Sequence, residues 1–456
     1  MNDNNNINSQ YSREIIKECI KLSYQTENIT NNSPGVKSKL SNLKNKIKYN
    51  VINSGFNKNK FIWQNDGSPV FVFHKKCTEK EKYNEKIKKL LLMTYRENYK
   101  KQVSIKNKSF YTSDCGWGCM IRSSQMLFSR MLYKIFKQQF KKYFNCDISI
   151  ECIIPFFLDN NIDISENMIK TSDYFNIVIQ DYIKQLNLFC NEKANEDNKL
   201  IIKSIDPPFS IHKICMIGEI FGRTCGEWFS DYELPKIYEI INSTFNIIPN
   251  LSIIHFHSEI DMKVIIEKCF EKEENIIEKD EFSNDKENNY FTNEKNEKYI
   301  FKKCCGIFVS VRLGVTEIPS EYLKSIKNLF KCKQFLGIIG GKINSASYFF
   351  GCQDNDLLFL DPHFTQESIN DLDEKDLMTY INKTVYKLPL KNLQCGFTIG
   401  FLIRNYSEFQ DLYTFFKEYI IDKFHCFHVF FENDNNNNTL TQEEINKNIN
   451  NNDDDF

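Results

Sequence analysis

The order of segments along the chain predicts an α+β fold. Helical periodicity dominates the first half, whereas strand-like segments follow one another through residues 306–403. Hydrophobic residues make up 41% of the 456 residues, which is enough to build a large core. Residues 1–60 and 433–456 are polar and rich in Asn, so we predict a disordered segment at each end of one domain, residues 61–432.

Most of the predicted helices lie before residue 250. They are marked by apolar residues three or four apart, and Ser165 and Ser210 are suited to cap two of them. In chain order, the predictions are a short strand Pro69–Phe73 and the helices Glu79–Tyr99, Cys119–Phe144, Ser165–Phe189, Ile214–Phe221 and Leu234–Ser243.

The second half is predicted to be mainly strands. Residues 271–298 are largely Glu, Lys and Asn, and we predict a disordered insertion there. A hairpin is predicted around the polar loop Cys352–Asp356. The predicted strands are Leu251–His257, Gly306–Leu313, Gln334–Gly340, Ser347–Gly351, Leu357–Asp361 and Phe397–Ile403, followed by a helix Ser407–Ile421.

Composition argues against several classes of protein. The chain has 59 basic and 60 acidic residues, so it offers no charge excess for nucleic acid or an anionic membrane. It has no run of about 18 apolar residues, and therefore no predicted transmembrane helix. The first residues lack the apolar core of a secretory signal. We therefore expect a cytoplasmic protein whose sixteen cysteines are reduced thiols.

Cys119 is the candidate nucleophile. It follows a turn, Ser113–Gly118, and opens the long predicted helix. Unpaired N–H groups and the positive end of the helix dipole favour a thiolate there, and the same N–H groups can stabilise an oxyanion. The alternative is a buried structural cysteine, which is what most free cysteines are.

His363 is the best-placed general base among the seven histidines. Asp361 and His363 lie two apart at the end of a predicted strand, so their side chains point the same way. A carboxylate beside an imidazole holds its tautomer and stabilises the imidazolium. The alternative is a simple Asp-Pro turn with a solvated histidine.

A metal site is not predicted, nor is any cofactor. His255 and His257 share a strand face, but no third ligand has metal-site spacing nearby. No CxxC pair occurs in the sequence, which argues against a structural zinc site.

Several separated motifs together resemble the autophagin family, the autophagy-related cysteine proteases with a papain-like fold. The resemblance spans roughly residues 61–432 and implies a helical part that carries the nucleophile, packed on a mainly antiparallel sheet. The matching stretches are Met93–Arg96, Thr112–Arg122, Pro208–His212, Gly226–Phe229, Gly340–Ser345 and Phe359–His363.

The resemblance implies both a substrate and a set of roles. Such enzymes cut a ubiquitin-like autophagy modifier after a glycine near its C-terminus and also release it from phosphatidylethanolamine. By this resemblance, Cys119 is the nucleophile, His363 the base and Asp361 its orienting partner. Tyr95 matches the tyrosine of the oxyanion hole. We expect a monomer that touches membranes only through its lipidated substrate.

The resemblance also implies a cover over the nucleophile. Trp228 and the Gly340–Ser345 loop, which includes Gly341 and Asn344, match the pair that parts when the tail of the modifier enters. Taken alone, Trp228 could be a core aromatic and the two glycines a strand-end turn. A non-catalytic binder of the same modifier is the competing function, although all three catalytic residue types are present.

Overall fold

The computed structural model describes residues 59–64, 67–99, 111–145, 147–160, 162–163, 184, 204–205, 207–273, 290–292, 298–342, 345–369, 374–381 and 383–431. Within these residues, helices are combined with a mostly antiparallel sheet, which confirms the predicted α+β class. None of the described helices is long and apolar enough to cross a membrane.

Ten of the described strands form one sheet. Its main path is β1 (Asn59–Lys60), β17 (Tyr386–Pro389), β15 (Asp356–Leu360), β14 (Ser345–Gln353), β13 (Phe335–Lys342), β18 (Gly396–Ile403), β12 (Cys304–Arg312) and β7 (Leu251–His257). At one side, β2 (Val70–Val72) pairs with β14 and with β3 (Lys75–Cys77). Along this path only β12 and β7 are parallel.

Four smaller sheets surround the main one. They are β4 (Tyr95–Glu97) with β16 (Thr365–Glu367), β5 (Ile162–Asp163) with β6 (Ser204–Ile205), β8 (Glu259–Asp261) with β19 (His428–Phe430), and β9 (Phe270–Lys272) with β11 (Lys298–Phe301) and β10 (Tyr290–Thr292).

The described helices vary from one long helix to several of two turns. They are α1 (Lys80–Ile87), α2 (Cys119–Phe144), α3 (Ile211–Ile220), α4 (Glu233–Phe245), α5 (Met262–Cys269), α6 (Leu323–Leu329), α7 (Glu374–Ile381) and α8 (Tyr406–Tyr419). Short 3-10 helices occupy Ile150–Phe157, Ser320–Tyr322 and Leu390–Asn392.

The helix α2 packs across the sheet and is largely buried from Cys119 to Phe136. Leu127 and Met131 lie over Gly400 and Gly306, where an added Cβ would approach their side chains to 3.2 and 2.5 Å. Glycine in β18 and β12 therefore lets the helix lie close to the sheet. The apolar residues that recur at helical spacing along it are all buried, namely Ile121, Phe128, Leu132 and Ile135.

The predicted strands of the second half are confirmed, with small changes at their ends. The hairpin of β14 and β15 has a tighter turn than predicted, because Gln353 pairs directly with Asp356. Asp354 adopts a left-handed conformation with φ of 49°, which Asp tolerates in a two-residue turn. This hairpin fixes the strand end from which Asp361 and His363 project.

The predicted helix Glu79–Tyr99 is wrong beyond Ile87. Residues 91–94 belong to no helix or strand, and Tyr95 begins β4. The backbone N–H of Tyr95 donates to Pro362 O at 2.9 Å. The apolar run at Leu90–Met93 is buried on all sides. Such a run carries no periodicity that separates a buried helix from a buried strand.

The predicted disordered insertion 271–298 has the wrong limits. β9 and β11 enter it from both sides, and β10 lies within it. Phe270 and Phe301 flank the predicted insertion and lie opposite each other in β9 and β11, with their rings 5.3 Å apart.

Other predicted segments lie largely outside the described residues. Only residue 184 of the predicted helix Ser165–Phe189 is described, and the proposed disordered ends are not described apart from β1. Because β1 pairs with β17, the folded part begins slightly before the predicted residue 61.

Candidate active site

Cys119 is the first residue of α2 and follows a tight turn. The backbone N–H groups of Trp117 and Gly118 both donate to the carbonyl oxygen of Asp114, at 3.2 and 2.9 Å. Gly118 is required here, because a Cβ would lie 2.4 Å from Asp114 Oδ2. Cys119 is fully buried. Its thiol therefore lies at a helix start, where backbone N–H groups and the helix dipole favour a thiolate.

Asp361 and His363 follow β15 and contact each other. His363 Nδ1 lies 2.5 Å from Asp361 Oδ1, which also accepts the backbone N–H of His363 at 3.2 Å. His363 is only 5% exposed, so the alternative of a solvated turn histidine is wrong. An ionised carboxylate only accepts, and Nδ1 therefore carries the proton of this hydrogen bond.

Cys119 and His363 are close enough for each to shift the pKa of the other. Burial raises the pKa of Cys119, but His363, the backbone of Ala346 and the indole of Trp228 together bring that pKa below its usual value. Burial lowers the pKa of His363, whereas Asp361 and Cys119 raise it to about 9. Both outcomes favour one state, a thiolate beside an imidazolium.

Trp228 covers this thiol. Its indole N–H donates to Cys119 Sγ at 2.9 Å, and its side chain is half-buried. The segment that carries it turns at Gly226, where φ is +89° and a Cβ would lie 2.2 Å from Tyr111. Trp228 is therefore part of the site and does more than fill the core.

Tyr95 packs against the imidazole. Its ring meets that of His363 edge-on at 5.5 Å between centroids, and the side chain is buried. The parallel pairing of β4 with β16 sets Tyr95 opposite Thr365, two residues after His363. A strand rather than a helix is therefore what carries Tyr95 to the site.

Gly340 and Gly341 lie in β13, and the predicted strand-end loop therefore begins later than expected. They pair with Ser347 and Ala346 of β14, and Ala346 is the residue whose backbone contacts Cys119. A Cβ on Gly341 would lie 2.3 Å from the carbonyl oxygen of Ser345, so this close approach requires glycine. Asn344 lies outside the described residues.

The chain matches a known family of proteins. Residues 80–415 match the family model described as the peptidase C54 catalytic domain. The chain belongs to the peptidase C54 family. It is a cysteine protease, and the resemblance to the autophagins and their papain-like fold is confirmed.

Relatives of this C54 protease match over most of its length. The cysteine protease ATG4B of Gallus gallus is 25% identical over 367 residues, which are 75% of this chain and 78% of the relative. The cysteine protease ATG4D of Xenopus laevis is 25% identical and covers 83% of this chain and 76% of its own. A shorter match, 39% identical over 106 residues, is to the cysteine protease atg4 of Dictyostelium discoideum, with 23% and 14% of the two chains covered.

The C54 protease holds the turn before Cys119 with a buried charge network that our sequence analysis missed. Arg122 donates to Asp114 at 2.7 Å, to Asp159 at 3.0 Å and to the hydroxyl of Tyr99 at 2.8 Å. Tyr99 in turn donates to Asp114 at 2.5 Å, and the backbone N–H of Arg96 does so at 2.6 Å. The available signal was an arginine in the first turn of a helix predicted to be mostly buried, since a buried guanidinium needs acidic partners.

Replacing Arg122 by leucine is expected to lower the free energy of unfolding by roughly 3–5 kcal/mol, because Asp114 and Asp159 would stay buried without a counter-charge. Urea unfolding followed by circular dichroism measures the change. Lys137→Leu is the matched control on the same helix, since Lys137 pairs with Asp147 at the surface, at 3.0 Å. Equal losses in the two variants would contradict the prediction.

The remaining polar clusters of the protease do not form a metal centre in the part of the chain that the structure describes. The rings of His255 and His257 lie 4.3 Å apart, and those of His425 and His428 lie 4.7 Å apart. No group of three or more His, Cys, Asp or Glu side chains within the described residues could hold a metal ion.

Proposed function

We propose that this protease cleaves a ubiquitin-like autophagy modifier after its C-terminal glycine, and that it also releases the modifier from phosphatidylethanolamine. The observation that carries the proposal is the covered thiol. Trp228 donates to Cys119 Sγ at 2.9 Å, and the start of β14 contacts the same residue. A polypeptide end whose residue at the cut is glycine has no side chain there, and is therefore best suited to enter between Trp228 and the start of β14.

In the proposed reaction, Cys119 attacks as the thiolate. Its sulfur bonds to the glycine carbonyl carbon, and the carbonyl electron pair moves onto oxygen. Collapse of this tetrahedral intermediate breaks the C–N bond while the His363 imidazolium gives its proton to the leaving amine. Water then attacks the thioester while His363 takes one of its protons, and breaking of the C–S bond frees the carboxylate and restores the thiolate beside the imidazolium. Asp361 keeps the imidazole oriented and stabilises its positive charge.

Two groups are proposed to receive the oxyanion. They are the backbone N–H of Cys119, at the start of α2, and the hydroxyl of Tyr95. Tyr95 packs against the ring of His363, with the ring centroids 5.5 Å apart, and therefore lies beside the proposed base. Hydrogen-bond donors fixed before the reaction stabilise developing charge without reorganisation.

The same chemistry serves both proposed substrates. A peptide extension and phosphatidylethanolamine are each joined to the glycine through an amide, and each leaves as an amine that His363 can protonate. A monomer working in the cytoplasm would meet membranes through the lipidated modifier, which is consistent with its near-equal numbers of acidic and basic residues.

The function is tested by incubating the protease with a modifier that carries a peptide after the glycine, and with the phosphatidylethanolamine conjugate in vesicles. Mass spectrometry should find a product that ends at the glycine in both reactions. A substrate with valine in place of that glycine is the matched control and should resist cleavage. Binding without cleavage of either substrate supports the non-catalytic alternative instead.

The pH dependence of kcat/KM is expected to be bell-shaped with its alkaline limb near pH 9. The pKa of His363 is raised to about 9, so above that pH the imidazolium loses the proton needed by the leaving amine. The pKa of Cys119 is lowered, so the thiolate persists below the ordinary thiol value and the acid limb appears where it is protonated. Initial rates with the extended modifier test this. A rate that is constant from about pH 5 to about pH 10 contradicts the ion pair.

A further inference from the structure

A chain of hydrogen bonds crosses three neighbouring strands and ends on the segment that carries Trp228. It begins in β7, where His255 Nε2 lies 2.8 Å from the hydroxyl of Ser310 in β12. Ser310 and Thr398 of β18 lie directly opposite each other, with their hydroxyls 2.6 Å apart. Thr398 then donates to Asp231 Oδ2 at 2.9 Å.

The carboxylate at the end of this chain fixes the direction of every bond in it. A hydroxyl has one proton, and that of Thr398 goes to Asp231. Ser310 must therefore donate to Thr398, and His255 must donate to Ser310 from a protonated Nε2. Burial first, and then the positive neighbours, lower the pKa of His255 to about 4, so His255 is a neutral donor at physiological pH.

The two hydroxyls are exceptions within apolar strands. Ser310 lies between Val309 and Val311, and Thr398 lies between Phe397 and Ile399, all of them buried. A buried hydroxyl is costly unless it is hydrogen-bonded, and neither side chain bonds to a backbone group in the described part of the chain. Within that part, their hydrogen bonds connect them only to each other, to His255 on one side and to Asp231 on the other.

Asp231 lies three residues after Trp228, in a segment that is also tied to the helical side of the molecule. Phe229 is fully buried against Gly218 of α3. Glu233, the first residue of α4, binds Arg223 at 2.8 Å and the backbone N–H of Ser230 at 2.8 Å. These contacts hold the base of the segment to the helices, and the ring of Tyr232 also meets that of His257 in β7, with centroids 6.0 Å apart.

The hydrogen bond that Thr398 donates to Asp231 joins this segment to β18, in the middle of the sheet. Thr398 pairs with Ile339 of β13, the residue before Gly340. The segment that carries Trp228 is therefore joined to β18, the neighbour of β13, and β13 contains Gly340 and Gly341 of the proposed cover. A hydrogen bond between this segment and the sheet opposes the movement of Trp228 away from Cys119.

We propose that Thr398, with Ser310 and His255 behind it, is a positioning residue that holds the Trp228 segment closed over Cys119 through Asp231. None of these side chains needs to touch the substrate. The proposal rests on the function above only in its kinetic part, because the cover over the thiol can be measured without any substrate.

The first test is alkylation of Cys119 by iodoacetamide, followed by mass spectrometry of the peptide that contains it. Thr398→Val keeps the shape of the side chain and removes the hydroxyl. Roughly three- to tenfold faster alkylation is expected, since the hydrogen bond from Thr398 to Asp231 no longer opposes opening. Thr398→Ser restores the hydroxyl and should return the rate to that of the unaltered protein.

The second test is steady-state kinetics of cleavage of the extended modifier, which gives KM and kcat separately. If closure must be undone before the tail binds, Thr398→Val should lower KM roughly three- to tenfold and change kcat by less than about twofold. Failure of the unaltered protein to cleave would refute the proposed function and leave the alkylation result standing.

A matched control is Ser252→Ala, which removes the hydroxyl that donates to Lys268 O elsewhere on β7. Unchanged alkylation in Thr398→Val, or an equal rise in Ser252→Ala, overturns the proposal. If Thr398→Val does not fold, Ser310→Ala takes its place. Because Ser310→Ala leaves the bond from Thr398 to Asp231 intact, a smaller rise is expected from it, and no rise overturns the proposal.

Discussion

Replacing Cys119 by alanine is expected to lower kcat/KM on the extended modifier by roughly 10⁴-fold or more, to the level of the uncatalysed reaction in practice. Alanine leaves the turn and the helix start intact, but no other atom can form the covalent bond. Single-turnover assays with excess enzyme measure the loss. Binding of the modifier should persist, because the walls around the thiol are unchanged.

Cys115→Ala is the matched control for this prediction. Cys115 is also buried and lies four residues earlier, in the turn, where its backbone N–H donates to Ser113 Oγ at 3.1 Å. Its replacement is expected to leave kcat/KM within about threefold of the original. Cleavage that survives in Cys119→Ala but is lost in Cys115→Ala would show that the wrong cysteine was assigned.

The parts of the site that the sequence predicted well are those set by local geometry. Asp361 and His363 are two residues apart at a strand end, and the period of a strand alone places them on one side. Cys119 opens a helix whose apolar face was visible in the periodicity of Ile121, Phe128 and Leu132. Neither Cys119 nor the Asp361–His363 pair required knowledge of a contact between residues distant in the sequence.

The parts that the sequence missed depend on distant partners. Tyr95 belongs to a buried apolar run, and only its pairing with Thr365, 270 residues away, makes it a strand. Arg122 and Asp159, or Asp231 and Thr398, are likewise joined across long separations. Single-sequence periodicity contains no information on such pairs, since tertiary contacts override local propensity.

Family resemblance supplied what periodicity could not. Trp228 read by itself was an ordinary core aromatic, and only the match of its surrounding motif pointed to the thiol. The structure places the indole N–H 2.9 Å from Cys119 Sγ. The same resemblance described Gly340 and Gly341 as part of a loop, whereas the ladder of β13 and β14 continues through both.

Asp361→Ala and Asp361→Asn should differ in a way that separates orientation from charge. The alanine variant loses the acceptor 2.5 Å from His363 Nδ1, so the ring is no longer held in one tautomer. We expect kcat/KM to fall roughly 10³- to 10⁴-fold, as when the acidic member of a catalytic triad is removed. Thermal unfolding of each variant checks that the fold is retained.

Asparagine at position 361 can still accept the proton on Nδ1 through its amide oxygen, so Asp361→Asn is expected to keep more activity than Asp361→Ala. It cannot supply the negative charge that raises the pKa of His363 to about 9. The alkaline limb of the pH profile should therefore move to lower pH, because the imidazolium then loses its proton earlier. An unmoved alkaline limb in Asp361→Asn would mean that Asp361 orients His363 without stabilising its charge. Equal losses in both variants would mean that the charge, and not the orientation, is what the reaction requires.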